Sequence, residues 1–359
     1  MTILTSKSSE TFLKNKSKFI FLIGSICTSF GILLVTVGGS WDITNHLLSK
    51  PESFFSPPHA LMYSGVAVTL TGVILSFVGW KNLVKFKDSY FLSLKIKLIG
   101  IGLLTGAGPL DFIWHSYFGL DGLLSPPHFT LITGMFLCSI GGMIGISRYL
   151  KFNNSQSILK YLLILAVIPV WLSASGIISS LSLPFSSTDF FQFNPEPTIA
   201  FIIASLAYPF LISFSLTLIF RLSTYQFGML SILGGLFLLI YSSTAIVPNF
   251  AMFDTVQFYL LNLIPFVISD IFLKINRSKI SRFFVGGLLG SVFYMVYYPY
   301  VMYTYNEILL GKLVSPSLIY FVYFELIQTV LIYTLIPAII MGILGMVLSV
   351  KISKKILIH

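Results

Sequence analysis

Trp41-Asp42-Ile43-Thr44-Asn45-His46, a gap of nine residues, and then Ser56-Pro57-Pro58-His59 form a polar turn between two long apolar runs, and the chain writes it twice. The second copy is Asp111-Phe112-Ile113-Trp114-His115 followed by Ser125-Pro126-Pro127-His128. Both read D-x3-H-x12-H, with an acid (Glu52, Asp121) seven positions before the last histidine. The copies are offset by 69 residues without a gap, and Gly39/Gly108 and Gly65/Gly134 fall into the same alignment. Four of the five histidines lie in them; the fifth is His359. Ser56 and Ser125 suit the N-cap of a helix, and a proline at the first helical position loses no hydrogen bond. Each copy therefore predicts the tip of a helical hairpin, with its polar residues gathered at that tip.

The runs on either side decide the fold class. Only 9% of residues are charged, 56% are apolar and the mean hydropathy is +0.91, which excludes an ordinary soluble domain. A membrane-spanning helix takes roughly 20 mostly apolar residues, and about ten such runs are expected, centred near 28, 70, 103, 138, 169, 209, 237, 264, 293 and 336. The expectation is an all-α polytopic membrane bundle. The first run is full length and lacks a small-residue cleavage site, so no signal peptide is expected. Cys27 and Cys138 lie inside apolar runs and offer neither a disulfide nor a compartment. Residues 1–17 read as a polar lead-in, 18–150 as two tandem hairpins, 151–350 as a six-helix region of unknown role, and 351–359 as a basic tail.

The net charge of +10 is a topology signal and gives no reason to invoke nucleic acid. Placed on the ten runs, 20 of the 22 basic residues, Lys97 among them, fall at one side, leaving Lys50 and Lys312 at the other. The positive-inside rule then puts both termini in the cytoplasm and both hairpin tips outside the cell membrane. In the later region, the tyrosines from Tyr294 to Tyr305 read as an aromatic belt, and Glu325 as an acid inside a late span.

Asp and His four residues apart share one helical face, so Asp42 with His46, and Asp111 with His115, converge one turn apart. A loop of nine residues brings His59 or His128 beside them. A carboxylate at a helix C-terminus near membrane depth is doubly disfavoured without a cation. A histidine in the first turn of a helix is held neutral, as a metal ligand must be. Two imidazoles and a carboxylate suit copper, zinc or non-haem iron, and three protein ligands leave coordination positions open. The candidate metal ligands are thus Asp42, His46, His59, Asp111, His115 and His128; no residue is assigned a catalytic role. Glu52 and Asp121 are either solvated loop acids or outer partners that fix an imidazole tautomer.

The motif Asp-x2-Trp-His, a short acidic loop and Ser-Pro-Pro-His entering the next helix resembles the C subunit of the copper membrane monooxygenases, the particulate methane and ammonia monooxygenases. The resemblance covers residues 38 to 65 and 107 to 134. It implies copper at Asp42, His46 and His59 and a second copper at Asp111, His115 and His128, where Asp111 replaces the family's asparagine. It further implies oxygen-dependent oxidation of a small substrate, other membrane subunits and an external electron donor. Two alternatives stand beside it: a non-enzymatic membrane protein for copper or zinc acquisition and delivery, and a repeat-built transporter.

Overall fold

In hydrocarbon every backbone amide must be satisfied within its own segment, so long apolar runs become helices. The computed structural model describes residues 2–47, 50, 53, 55–83, 87–119, 124–152, 157–182, 197–248, 250, 253, 256–291 and 316–358. Side chains are described for these except 2–15, 46, 47, 157, 158, 197, 198, 200, 201, 257, 258, 316–332, 357 and 358. Helices α1 (Thr2–Leu47) and α2 (Pro57–Lys81) form the first hairpin, α3 (Lys87–Phe118) and α4 (Pro126–Phe152) the second. A short 3-10 turn, Ser157–Tyr161, leads into α5 (Leu162–Ser182), α6 (Pro197–Leu222) and α7 (Met229–Ile246). Then come α8 (Val256–Leu261), α9 (Leu263–Ile275), α10 (279–291) and α11 (Pro316–Ile358). The protein is an all-α polytopic membrane bundle, and no strand occurs among the described residues.

Eight helices among the described residues are long and apolar enough to cross a membrane, and they coincide with eight of the ten expected runs. The run near 264 is broken instead, into α8 of 6 residues and α9 of 13, on either side of Asn262. Pro265 explains the break, because it has no amide hydrogen to offer the carbonyl of Leu261. Of the run near 293, the described part is α10. The tyrosine belt lies outside the described residues, as does the side chain of Glu325.

Glycines set the hairpins. On α1, Gly24 and Gly31 face Gly72 and Gly65 of α2 so closely that a Cβ on any of the four would lie 2.6 Å from the facing glycine's carbonyl oxygen. Small residues let backbones approach in this way where no hydrophobic effect drives helices together. The seam recurs every seven residues, through Gly38 on α1 and Gly79 on α2, the period of a left-handed crossing. Shifted by 69, Gly31 and Gly65 become Gly100 and Gly134, which meet in the same way at 2.9 Å, and Gly24 and Gly72 become Ser93 and Gly141, where the Ser93 hydroxyl donates to the Gly141 carbonyl at 2.7 Å. The duplication is therefore one of three-dimensional packing, and each seam fixes which residues meet at its tip.

Contacts between helix ends place both tips together. Ser17 at the start of α1 bonds Asn82 beyond the end of α2, and Phe21 packs on Tyr90 at the start of α3. At the other end of α1, Ser40 bonds Thr244 near the end of α7 (2.8 Å), and the Thr44 hydroxyl stands 3.1 Å from the Thr244 carbonyl. The later helices thus brace the first hairpin tip. Their own core is large, with Trp171 of α5 stacked on Phe237 of α7 at 4.0 Å. Fully buried Asp270 of α9 accepts from the Ser231 amide and hydroxyl at 2.8 and 2.6 Å. It satisfies the first turn of α7, where the helix dipole favours an anion.

Lys97 departs from its sequence reading. It does not flank a span but lies within α3, fully buried, and its ammonium bonds Ser25 of α1 at 2.7 Å and Ser76 of α2 at 2.9 Å over the face of Phe21. Lys97 therefore ties the second hairpin to the first and is not one of the residues that flank a span.

Candidate metal centre

In the second hairpin the three expected residues come together. Asp111 Oδ1 lies 3.5 Å from His115 Nε2 and 3.2 Å from His128 Nε2, and one ligand atom from each lies within 4.8 Å of the others. Two atoms each about 2.1 Å from a tetrahedral ion stand about 3.4 Å apart, so the spacing already matches the edge of a coordination shell.

Proton bookkeeping sharpens this. His115 Nδ1 is 2.9 Å from the Gly119 carbonyl, which can only accept, so Nδ1 carries a hydrogen. In the neutral ring Nε2 is then a lone pair, and it faces a carboxylate oxygen that is also only an acceptor. Asp111 Oδ1 is buried and makes no hydrogen bond. Two acceptors at this distance repel unless a metal ion lies between them or the ring takes up a second proton. A ring hydrogen held by a backbone carbonyl, fixing the tautomer and aim of the other nitrogen, is the usual arrangement behind a metal-bound histidine.

Gly119 makes that arrangement. It ends α3 at φ +73, a left-handed conformation natural to glycine. Its amide donates to the His115 carbonyl at 3.0 Å while its own carbonyl receives the His115 ring. The signal was in the sequence, since a glycine just past an apolar run is a helix stop.

The first hairpin repeats the scheme with different parts. His59 Nε2 lies 3.2 Å from Asp42 Oδ1 and 3.3 Å from Oδ2, and its Nδ1 is 3.0 Å from the Ser53 carbonyl. His46 sits one turn beyond Asp42 on α1; its side chain is outside the described residues. Glu52 and Asp121 are outside them too.

The expected caps divide. Prolines at the first two helical positions leave only the amide of the third, His59 or His128, within a cap's reach. Ser125 accepts from the His128 amide at 3.4 Å, whereas the hydroxyl of Ser56, although at the N-cap position, makes no such bond and is buried without a partner. Helix start is secured in both copies by the backbone, where Ala60 and Phe129 donate to Ser56 and Ser125 at 2.9 Å.

Tyr63 joins the two copies. It lies one turn after His59 on α2, with ring centroids 6.1 Å apart, and is within electrostatic reach of both Asp42 and Asp111. The two tips lie at the same end of the bundle. Position 132, its counterpart 69 residues on, is Ile132, so the two centres differ. Family models, characterised proteins and solved structures offer no match to this chain. What the centre can do therefore follows from its own chemistry. Two imidazoles and one carboxylate, with side chains 21 to 27% exposed, make a candidate three-ligand site that is only partly buried.

Proposed function

We propose that the chain is an integral membrane copper protein whose hairpin tips hold one ion each, on the extracytoplasmic side of the cell membrane. The observation that carries metal binding is Asp111 Oδ1, buried, without a hydrogen bond, and set 3.2 to 3.5 Å from two imidazole nitrogens. The choice of copper, and a role in oxygen-dependent oxidation of a small substrate, rests on the likeness of both hairpins to the C subunit of the copper membrane monooxygenases. In this reading Asp42, His46 and His59 hold one ion, and Asp111, His115 and His128 the other. Copper would supply the activation of dioxygen. The residues of the chain bind and aim it: Gly119 and Ser53 fix the rings, and the open side of each triad leaves room for an outside ligand. Reducing electrons come from a partner, because the cysteines are two, Cys27 and Cys138, each alone in a helix.

Metal content of the detergent-purified chain, reconstituted with copper or zinc and read by mass spectrometry, tests the reading. Near two ions per chain are expected, falling to one in His46→Ala or His115→Ala and to none in the double variant. No stoichiometric metal in the wild type would sink it. Oxygen uptake with a chemical reductant and a small apolar substrate or ammonia then tests oxidation.

A second reading, metal acquisition or delivery, is favoured by one feature. Every described ligand side chain is 14 to 27% exposed, so an ion can exchange without the bundle opening. Transfer of bound copper to an external chelator within seconds, with no oxygen uptake, would select it.

A further inference from the structure

At the end of the bundle away from the hairpin tips, three arginines from different elements line one pocket: Arg221 near the end of α6, Arg277 between α9 and α10, and Arg282 in α10. The location follows from the contacts, since Lys160, in the 3-10 turn between α4 and α5, bonds Thr224 just beyond α6. Arg221 and Arg277 both pack on the ring of Tyr225, at 5.0 and 4.9 Å from its centroid, and Arg221 also bonds its hydroxyl. Among the described residues none of the three meets a carboxylate. Leu273 and Met346 supply apolar walls. Cations gathered in one pocket repel one another unless an anion joins them.

The backbone here is held in a costly shape. The end of α6 closes with the Tyr225 amide on the Phe220 carbonyl (2.8 Å) and the Thr224 amide on the Arg221 carbonyl (3.1 Å), a turn in which glycine normally takes the left-handed position. Thr224 and Tyr225 take it instead, at φ 59 and 66. Strain of this kind persists where something else requires the geometry, and what it achieves is to hold the Tyr225 ring against two guanidinium groups.

We propose that this cluster of arginines binds a phosphate group, carried by an anionic phospholipid or free in solution. Guanidinium forks match phosphate oxygens in pairs, and basic pockets between spanning helices take lipid head groups. Stacking on tyrosine holds the forks in place before the ligand arrives.

Native mass spectrometry of the full chain in detergent, with phosphatidylglycerol or phosphatidylcholine added, tests this, together with titration of the delipidated chain by inorganic phosphate. The variant Arg277→Gln/Arg282→Gln is compared with Lys354→Gln/Lys355→Gln, which removes the same charge elsewhere, and Tyr225→Leu, which removes none. Metal content and elution volume check that each is folded. The wild type and the lysine variant should retain one phosphatidylglycerol over phosphatidylcholine, with at least tenfold weaker retention in the arginine variant and several-fold in Tyr225→Leu. Retention of lipid without phosphate binding identifies the head group as the ligand; saturable phosphate binding that displaces the lipid identifies free phosphate. No anion binding by the wild type, or equal loss in the arginine and lysine variants, overturns the proposal.

Discussion

At the scale of single residues, the candidate metal centre rests as much on a glycine as on its proposed ligands. Gly119 at φ +73 has open space where a Cβ would go, so alanine there meets no clash and changes only the backbone preference. Gly119→Ala should cost about 1–2 kcal/mol, the penalty of a left-handed non-glycine residue. By releasing the His115 ring, it should weaken metal binding in the second hairpin about 10–100-fold. Thermal unfolding and a copper titration measure the two effects separately; an unchanged titration would mean that the ring needs no such support. Asp111→Ala removes the carboxylate and should drop metal content by one ion per chain. The grouping of Asp111, His115 and His128 was legible because D-x3-H is a local pattern on one helical face. Tyr63 was not, because its approach to Asp111 joins two hairpins and leaves no trace in spacing.

The scale of elements belongs to the glycine seams. A side chain at Gly100 would put its Cβ 2.7 Å from the Cys138 amide nitrogen and 2.9 Å from the Gly134 carbonyl, backbone atoms that cannot step aside. Gly100→Leu should therefore force α3 and α4 apart, at about 2–3 kcal/mol, whereas Gly102→Leu, with nothing within 4 Å, should be tolerated. Comparing their yields as monodisperse protein and their unfolding temperatures decides it. The helices themselves follow from hydropathy, and eight of the runs became spans as expected. The break at Asn262 was harder to see, since hydropathy does not register that Pro265 withdraws a hydrogen bond from the middle of an apolar run.

At the scale of the whole molecule, two contacts join what the sequence presents as separate regions. Thr244 of α7 holds α1 through Ser40 and Thr44, beside Asp42. Thr244→Val should cost about 1 kcal/mol and weaken metal binding in the first hairpin while leaving the second unchanged, which metal titration in a His115→Ala background would reveal. Lys97 is the other joint. The hydroxyls it bonds already donate to the Phe21 and Gly72 carbonyls, so Lys97→Met strands no donor and should unfold within about 1 kcal/mol of wild type. Basic residues near helix ends reveal topology, but sequence position alone could not tell a lysine at the membrane surface from one ten residues inside a helix.

Each ligand set is contained within a short stretch of chain, 42 to 59 or 111 to 128, and its two helices are held by their own glycines. On the proposed reading, a hairpin emerging from the ribosome carries all of its proposed ligands before the next pair of spans has been synthesised, while the Thr244 brace reaches the first tip only once α7 has been made. Order of synthesis would then be the order in which the ligands assemble, with the first tip's brace arriving last.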